Sequence, residues 1–185
     1  VNEYVEMIFV ADLVVLFVML TGSLWSVAVP SKRTWPPPSK GTWQYYLAWS
    51  SFCLVIGLNI LLLIFDWNTW VMDTPLRFIV GVPLVVIGSL LVMWGVRTLG
   101  VRSTSGLVDM FVKEGPYRFT RHPQYLGDIV LYVGLSIVAN SLYLWITHIL
   151  LIINFIIIPI SEEDWLLEQY GDSYRDYLDG TSRFL

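Results

Sequence analysis

The chain has 185 residues, with 15 acidic and 11 basic side chains and a formal net charge of −4. Only 14% of its residues are charged and 56% are apolar, where ordinary soluble domains are about a quarter charged, and the mean hydropathy is +0.64. These values exclude intrinsic disorder, which needs low hydrophobicity, argue against a nucleic-acid partner, since no basic cluster is present, and suit a single unit rather than two independent domains.

Uncharged runs cover residues 13–31, 41–65, 78–96 and 129–161. A bilayer-spanning helix needs about 20 predominantly apolar residues. The first three runs fit one span each. The fourth is too long for one helix and breaks naturally at Ala139-Asn140-Ser141. The pattern therefore predicts an all-α, polytopic membrane protein with five transmembrane helices, at about residues 5–28, 43–65, 76–97, 123–138 and 142–160. The last two form a helical hairpin, followed by a cytosolic C-terminal helix.

In chain order, the first span opens with Glu3 and Glu6, where a secretory signal would carry positive charge. Asp12, within it, is placed near the outer interface. The loop from Pro30 to Trp43 carries Pro36-Pro37-Pro38 and reads as a stiff, extended connector. Trp25, Trp35, Trp43, Trp67 and Trp70 stand near helix ends, as an aromatic belt would, and are assigned no chemistry. Cys53, the single cysteine, excludes an intrachain disulfide and cysteine-based metal clusters, and reads as a small buried residue. Two histidines are too few for a His-rich metal site, so no metal is expected. Of the basic residues, all but Arg77 then lie on one side. The positive-inside rule makes that side the cytosol and puts the N-terminus outside.

The remaining charge concentrates in 97–122 and 161–185. Residues 123–138 rise for about 24 Å and 142–160 return for about 28 Å at 1.5 Å per residue. His122 and Glu162 should therefore emerge at the same face. Pro123 suits the first turn of a helix and biases His122 away from helical geometry. The helix N-terminus favours anions, Arg121 adds a full charge beside it, and Gly127 leaves room for a ligand. Glu162 and Glu163 follow an apolar helix, where a helix C-terminus opposes negative charge unless a ligand offsets it. Tyr117, Tyr125 and Trp165 would supply aromatic surfaces, which attract a sulfonium.

The run Gly115-Pro116-Tyr117-Arg118-Phe119-Thr120-Arg121-His122-Pro123-Gln124-Tyr125-Leu126-Gly127, an apolar hairpin, Glu162-Glu163, then Tyr170-Gly171-Asp172-Ser173-Tyr174 and Ser182-Arg183-Phe184 resemble the isoprenylcysteine carboxyl methyltransferase superfamily. That superfamily also includes phospholipid N-methyltransferases. The resemblance covers about residues 97–185; the first three helices match only in being apolar. It implies an integral-membrane methyltransferase that uses S-adenosylmethionine. Cofactor contacts are implied at Tyr117, His122, Gln124, Tyr125 and Glu162, with backbone contacts at Asp109, Met110, Phe111 and Val112. Arg121, Pro123, Gly127 and Glu163 belong to the same motifs. The whole chain, 1–185, is expected to be one membrane domain: 1–96 carries three spans, and 97–185 the cofactor-binding loop, hairpin and C-terminal helix.

Two departures bear on the substrate. Prenylcysteine methyltransferases carry an arginine one turn before the Glu pair, where Ile158 stands here, so a carboxylate acceptor is disfavoured. Asp128 follows Gly127 and is the expected catalytic base for an amine acceptor. A Gly-Asp at this point also resembles the NADPH-dependent sterol reductases, but the acidic Ser161-Glu162-Glu163-Asp164 would repel a 2′-phosphate. A non-catalytic membrane scaffold is the third alternative. The substrate is expected to be a lipid or prenylated molecule entering from the bilayer. His148 and Asn154 read as interhelical hydrogen-bonding groups.

Overall fold

The computed structural model describes residues 3–72 and 74–184, and the described residues contain no strand. The helices are α1 (Glu3–Ala28), α2 (Trp43–Phe65), α3 (Leu76–Leu99), α4 (Pro123–Ala139), α5 (Leu142–Tyr170) and α6 (Asp172–Gly180). A one-turn helix, Val101–Thr104, and two 3-10 turns, Pro30–Lys32 and Gly115–Arg118, lie in the connections. The expected all-α architecture is present. Four helices, α1, α2, α3 and α5, are long and apolar enough to cross a membrane. α4 has 17 residues, about 26 Å of helix, in the place expected for the helix at 123–138; it is apolar but shorter than the other four.

The ends of α4 are built as the sequence suggests. Pro123 occupies its first turn, behind a non-helical His122 (φ −129°, ψ 61°), because proline has no N–H to waste there. Asn140 closes it in the left-handed region (φ 49°, ψ 50°). The Asn140 side chain donates to Asn68 Oδ1 (2.8 Å) and accepts from the Met72 N–H (2.9 Å), which ties the hairpin turn to the α2–α3 connection. Ser141 then caps α5 by accepting from the Leu144 N–H (3.1 Å).

α5 departs from the sequence expectation. It continues to Tyr170 instead of ending at 160, and carries Pro159 in its interior. A proline removes one backbone bond, while the following Glu, Leu, Trp and Gln residues are compatible with a helix. Glu162 and Glu163 therefore sit within a helix, and no helix-end dipole opposes them.

α3 and α4 pack antiparallel along a seam of glycines. A Cβ at Gly88 would stand 2.5 Å from Leu131 N and 2.6 Å from Gly127 O, and one at Gly134 would stand 2.7 Å from Val85 N. Small residues let two backbones approach this closely. The expected room for a ligand at Gly127 is filled by the same seam, since its Cβ would meet Val92 N at 2.8 Å.

The other side of α4 faces α5, and α1 packs between α2 and α5. Leu16, Val55, Tyr132, Leu151 and Phe155 form the main apolar core. Polar bonds cross this packing. Ser23 donates to Asn154 Oδ1 (2.7 Å), and Ser136 pairs with His148 Nδ1 (2.7 Å). Asp12 faces the interior of the helix packing. It is fully buried, and Asn59 donates to it (2.9 Å) while Thr147 donates to Asn59 (2.9 Å). Cys53, expected inside, is exposed on α2.

Candidate functional site

The hairpin formed by α4 and α5 returns the chain so that His122 and the glutamate pair meet, as the rise of the two helices predicted. His122 Nδ1 lies 3.5 Å from Glu162 Oε2, and His122 Nε2 lies 3.1 Å from Glu163 Oε1. Successive residues of a helix point about 100° apart, so the two glutamates face different surroundings.

Glu163 faces the C-terminal segment. It binds Arg183 through two bonds, 2.9 Å to Oε1 and 2.7 Å to Oε2, and Arg121 at 3.0 Å. Arg121 also donates to the carbonyls of Leu178 and Thr181, each at 3.0 Å. Its backbone N–H reaches Ser182 O (2.9 Å), and the Thr120 hydroxyl reaches Arg183 O (2.8 Å). The cations around Glu163 fold the tail back onto the motif. Burial alone would raise the Glu163 carboxyl, but hydrogen bonds from His122 and Arg183 and the nearby charges hold it down at about 2. Burial alone would lower His122, yet its bonds to Glu162 and Glu163 outweigh that and raise it above 6.5.

Glu162 faces a cavity. Its Oε1 accepts from Tyr125 (2.5 Å) and from Trp35 Nε1 (2.6 Å). The motif cavity beside it has an empty volume of about 740 Å³, part of it open to the surroundings. Its walls include Met110, Phe111, Val112, Tyr117, Arg121, His122, Gln124, Tyr125 and Glu162 among the expected site residues. Trp165, Tyr170, Tyr174 and Tyr177 add aromatic surface, with Phe111 stacked on Tyr170 at 5.2 Å. Gln124 donates to the Tyr117 hydroxyl (2.9 Å), and burial raises that phenol well above its ordinary range, so it stays a neutral hydroxyl.

Four expected contact residues lie off this wall. Pro123 starts α4, Gly127 packs on α3, and Glu163 anchors the tail. Asp109 contributes its carbonyl to the Tyr170 hydroxyl (2.7 Å). The backbone N–H groups of residues 109–112 have no hydrogen-bond partner among the described residues. Arg121 lines the cavity, but its guanidinium is committed to Glu163 and to two carbonyls.

A second cavity, between α1, α2, α4 and α5, has an empty volume of about 870 Å³. This helix cavity is lined by Met19, Phe52, Phe155 and Ile158, with Asp128 on its wall. The position left without an arginine, Ile158, is thus part of an apolar surface. The two cavities share Thr104, Gln124 and Tyr125.

Trp35 joins the two cavities. It lines the helix cavity, and its indole N–H holds Glu162 in the motif cavity. The loop that carries it is not an extended connector: Thr34 bonds back to Gly22 O (2.9 Å), and Ser161 donates to Trp35 O (2.7 Å). Reading Trp35 as a belt residue missed this. The available signal was its place among Thr and Pro residues, away from any apolar run.

A carboxylate beside aromatic faces accepts from hydroxyl or ammonium donors, and free backbone N–H groups donate to anionic or heterocyclic ligands. The sequence model of the phospholipid methyltransferase family matches residues 76–173. A phosphatidylethanolamine N-methyltransferase B from Dictyostelium discoideum is 30% identical over 90 residues, which are 45% of this chain and 45% of that protein. The chain therefore matches about half the length of this curated relative. No solved structure matches the chain.

Proposed function

The chain belongs to the phospholipid methyltransferase family, and we propose that it transfers the methyl group of S-adenosylmethionine to the amine of a membrane phospholipid such as phosphatidylethanolamine. The observation that carries this reading is the meeting of the two cavities at Thr104, Gln124 and Tyr125. One cavity has the donor set for a polar cofactor, and the other is an apolar space with a single carboxylate on its wall.

The motif cavity fits the cofactor by the chemistry of its groups. Glu162 is an acceptor for ribose hydroxyls or the ammonium, the unpaired N–H groups of 109–112 suit the carboxylate or adenine edge, and Phe111, Trp165 and Tyr170 offer flat faces. Bound there, S-adenosylmethionine would supply an electrophilic methyl group and leave as a neutral thioether. Trp35 and Tyr125 orient Glu162. Glu163 with Arg121 and Arg183 holds the tail against the site and keeps His122 in place. Asp128 takes the proton of the lipid ammonium, which frees the nitrogen lone pair for in-line attack. Much of the remaining rate enhancement comes from positioning and from excluding water.

The test uses the purified full chain in detergent. Calorimetry with S-adenosylhomocysteine should show saturable binding, and labelled methyl should pass from S-adenosylmethionine into phosphatidylethanolamine. Absence of both overturns the reading. Binding of NADPH in place of S-adenosylhomocysteine would indicate a reductase.

A further inference from the structure

Gln124 and Asp128 stand four residues apart on α4, and both line the helix cavity. Residues at this spacing share one helix face, with Cβ atoms about 5–6 Å apart. The Gln124 amide nitrogen donates to the Tyr117 hydroxyl (2.9 Å) and to Thr104 Oγ1 (3.2 Å), which uses both of its hydrogens. Its Oε1 accepts from no group among the described residues, and the same holds for the Asp128 carboxylate. Neither is sealed off: both side chains are half-buried, and these oxygens keep accessible surface. The other polar side chains on this wall make no such demand. Ser23, Thr34, Trp35 and Tyr125 donate to acceptors within the chain. The Asn154 amide nitrogen and the Trp49 N–H have no accessible surface. Ser51, on α2, has a hydroxyl without a partner among the described residues, but a hydroxyl both donates and accepts and so suits a ligand with or without an N–H. What remains is two acceptors one turn apart, and Gln124 stands where the helix cavity meets the motif cavity. Their complement is a nitrogen with at least two N–H groups.

We propose that Gln124 is a specificity-determining residue that reads the number of N–H groups on the acceptor nitrogen. This rests on the preceding reading of the chain as a lipid methyltransferase. Asp128 engages one N–H and takes that proton; the freed lone pair forms the new N–C bond as the sulfonium–methyl bond breaks. Gln124 Oε1 accepts from a second N–H and holds the nitrogen toward the motif cavity. Primary and secondary ammonium groups satisfy both acceptors. A tertiary ammonium has a single N–H, which goes to Asp128, and it turns a methyl group against Oε1. A site built to bond an N–H disfavours the analogue that lacks it, because its own polar group is left unpaired. The threshold therefore falls between the secondary and the tertiary amine.

The test measures binding to the purified full chain in detergent, with excess S-adenosylhomocysteine, of three probes: dioctanoyl phosphatidylethanolamine and its N-methyl and N,N-dimethyl derivatives. Transfer of labelled methyl from S-adenosylmethionine to the same three lipids is measured alongside. Gln124→Met keeps the length of the side chain and removes the acceptor. Gln124→Glu keeps an acceptor oxygen. The readout is the ratio of affinities among the three lipids, in which a change in folding or in cofactor binding cancels.

Gln124→Met should lower the affinity for the primary and the secondary amine, relative to the tertiary amine, about tenfold, the scale of one hydrogen bond to a charged group. Gln124→Glu should retain the wild-type order of the three lipids. An equal change for all three, a change confined to the tertiary amine, no change in Gln124→Met, or loss of the order in Gln124→Glu overturns the proposal. Affinity ratios that follow the expected pattern without any methyl transfer overturn only the methyltransferase reading. Methyl transfer with unaltered ratios in Gln124→Met overturns only this assignment.

Discussion

Glu163 and Asp128 belong to two regions that handle polarity in opposite ways. Around Glu163, carboxylate, guanidinium, imidazole and tail carbonyls are bonded to one another. On the wall of the helix cavity, Asp128 has no bond among the described residues. Buried polar groups are costly unless paired. The first region is therefore self-sufficient and holds shape. The second is incomplete by itself and is suited to receive a ligand. Glu162 stands between them, bonded to Trp35 and Tyr125 yet open to the motif cavity.

The sharpest way to break this comparison is Glu163→Ala. It strands Arg121 and Arg183 beside a buried His122, and removing one partner of a buried ion pair costs about 3–5 kcal/mol. A large drop in thermal unfolding temperature in detergent is expected, with release of the tail detectable as faster proteolysis near residue 181. Unchanged stability would mean that the network is not what holds the tail.

Asp128→Asn tests the other region and should behave in the reverse manner. The substitution keeps shape and Asp128 makes no bond to break, so stability should change far less than in Glu163→Ala. Loss of a general base lowers kcat by about 100-fold or more. Turnover equal to wild type, measured by transfer of labelled methyl into phosphatidylethanolamine, would remove Asp128 from the chemistry.

The difference between the two regions was only partly legible in the sequence. Helical rise alone brought His122 and Glu162 to one face, and Pro123 marked the start of α4 correctly. Adjacent acids look alike in a sequence, however, and the 100° turn between Glu162 and Glu163 has meaning only once the tail is packed. Gly127 read as ligand space because its true neighbour, the Gly88 turn of α3, is distant in sequence. Pro159 suggested that the helix was ending, but packing of α5 carries it to Tyr170. Asn154 was legible as an interhelical hydrogen-bonding group, but Trp35 acquired its role only when α1, α2 and the first loop closed the helix cavity, a part of the chain that the recognisable motifs do not reach.

Glu162→Ala sharpens the boundary between the regions. The carboxylate makes no bond to the tail, so the loss should fall on the ligand. One charge-assisted bond contributes about 1.5–3 kcal/mol, which is a weakening of about ten- to a hundredfold in S-adenosylhomocysteine affinity. The residue also orders Trp35 and Tyr125, so a modest fall in unfolding temperature should accompany it, smaller than for Glu163→Ala. Unchanged affinity by calorimetry would exclude the cofactor role of Glu162.

The smallest expected effect is a pH dependence set by His122. The groups facing it are Glu162, Glu163 and the rings of Tyr125 and Phe184, with Arg121 and Arg183 sharing Glu163. Its pKa is raised in the folded chain. The protonated form is thus favoured by folding, its contribution is complete below the unfolded value of about 6.5, and it is lost as pH rises through the folded value. Glu163 has the opposite sign. Its lowered pKa gives stability above 4.5 that is lost as pH falls toward about 2, so it adds nothing to a change on the alkaline side. Unfolding temperature should therefore decline as pH rises above about 6.5, by less than for Glu163→Ala because the two arginines remain paired with Glu163. The same scan on His122→Gln, whose amide does not titrate, should lose that decline. A decline of equal size in the variant would assign the pH dependence to another group and leave the tail network held by its arginines alone.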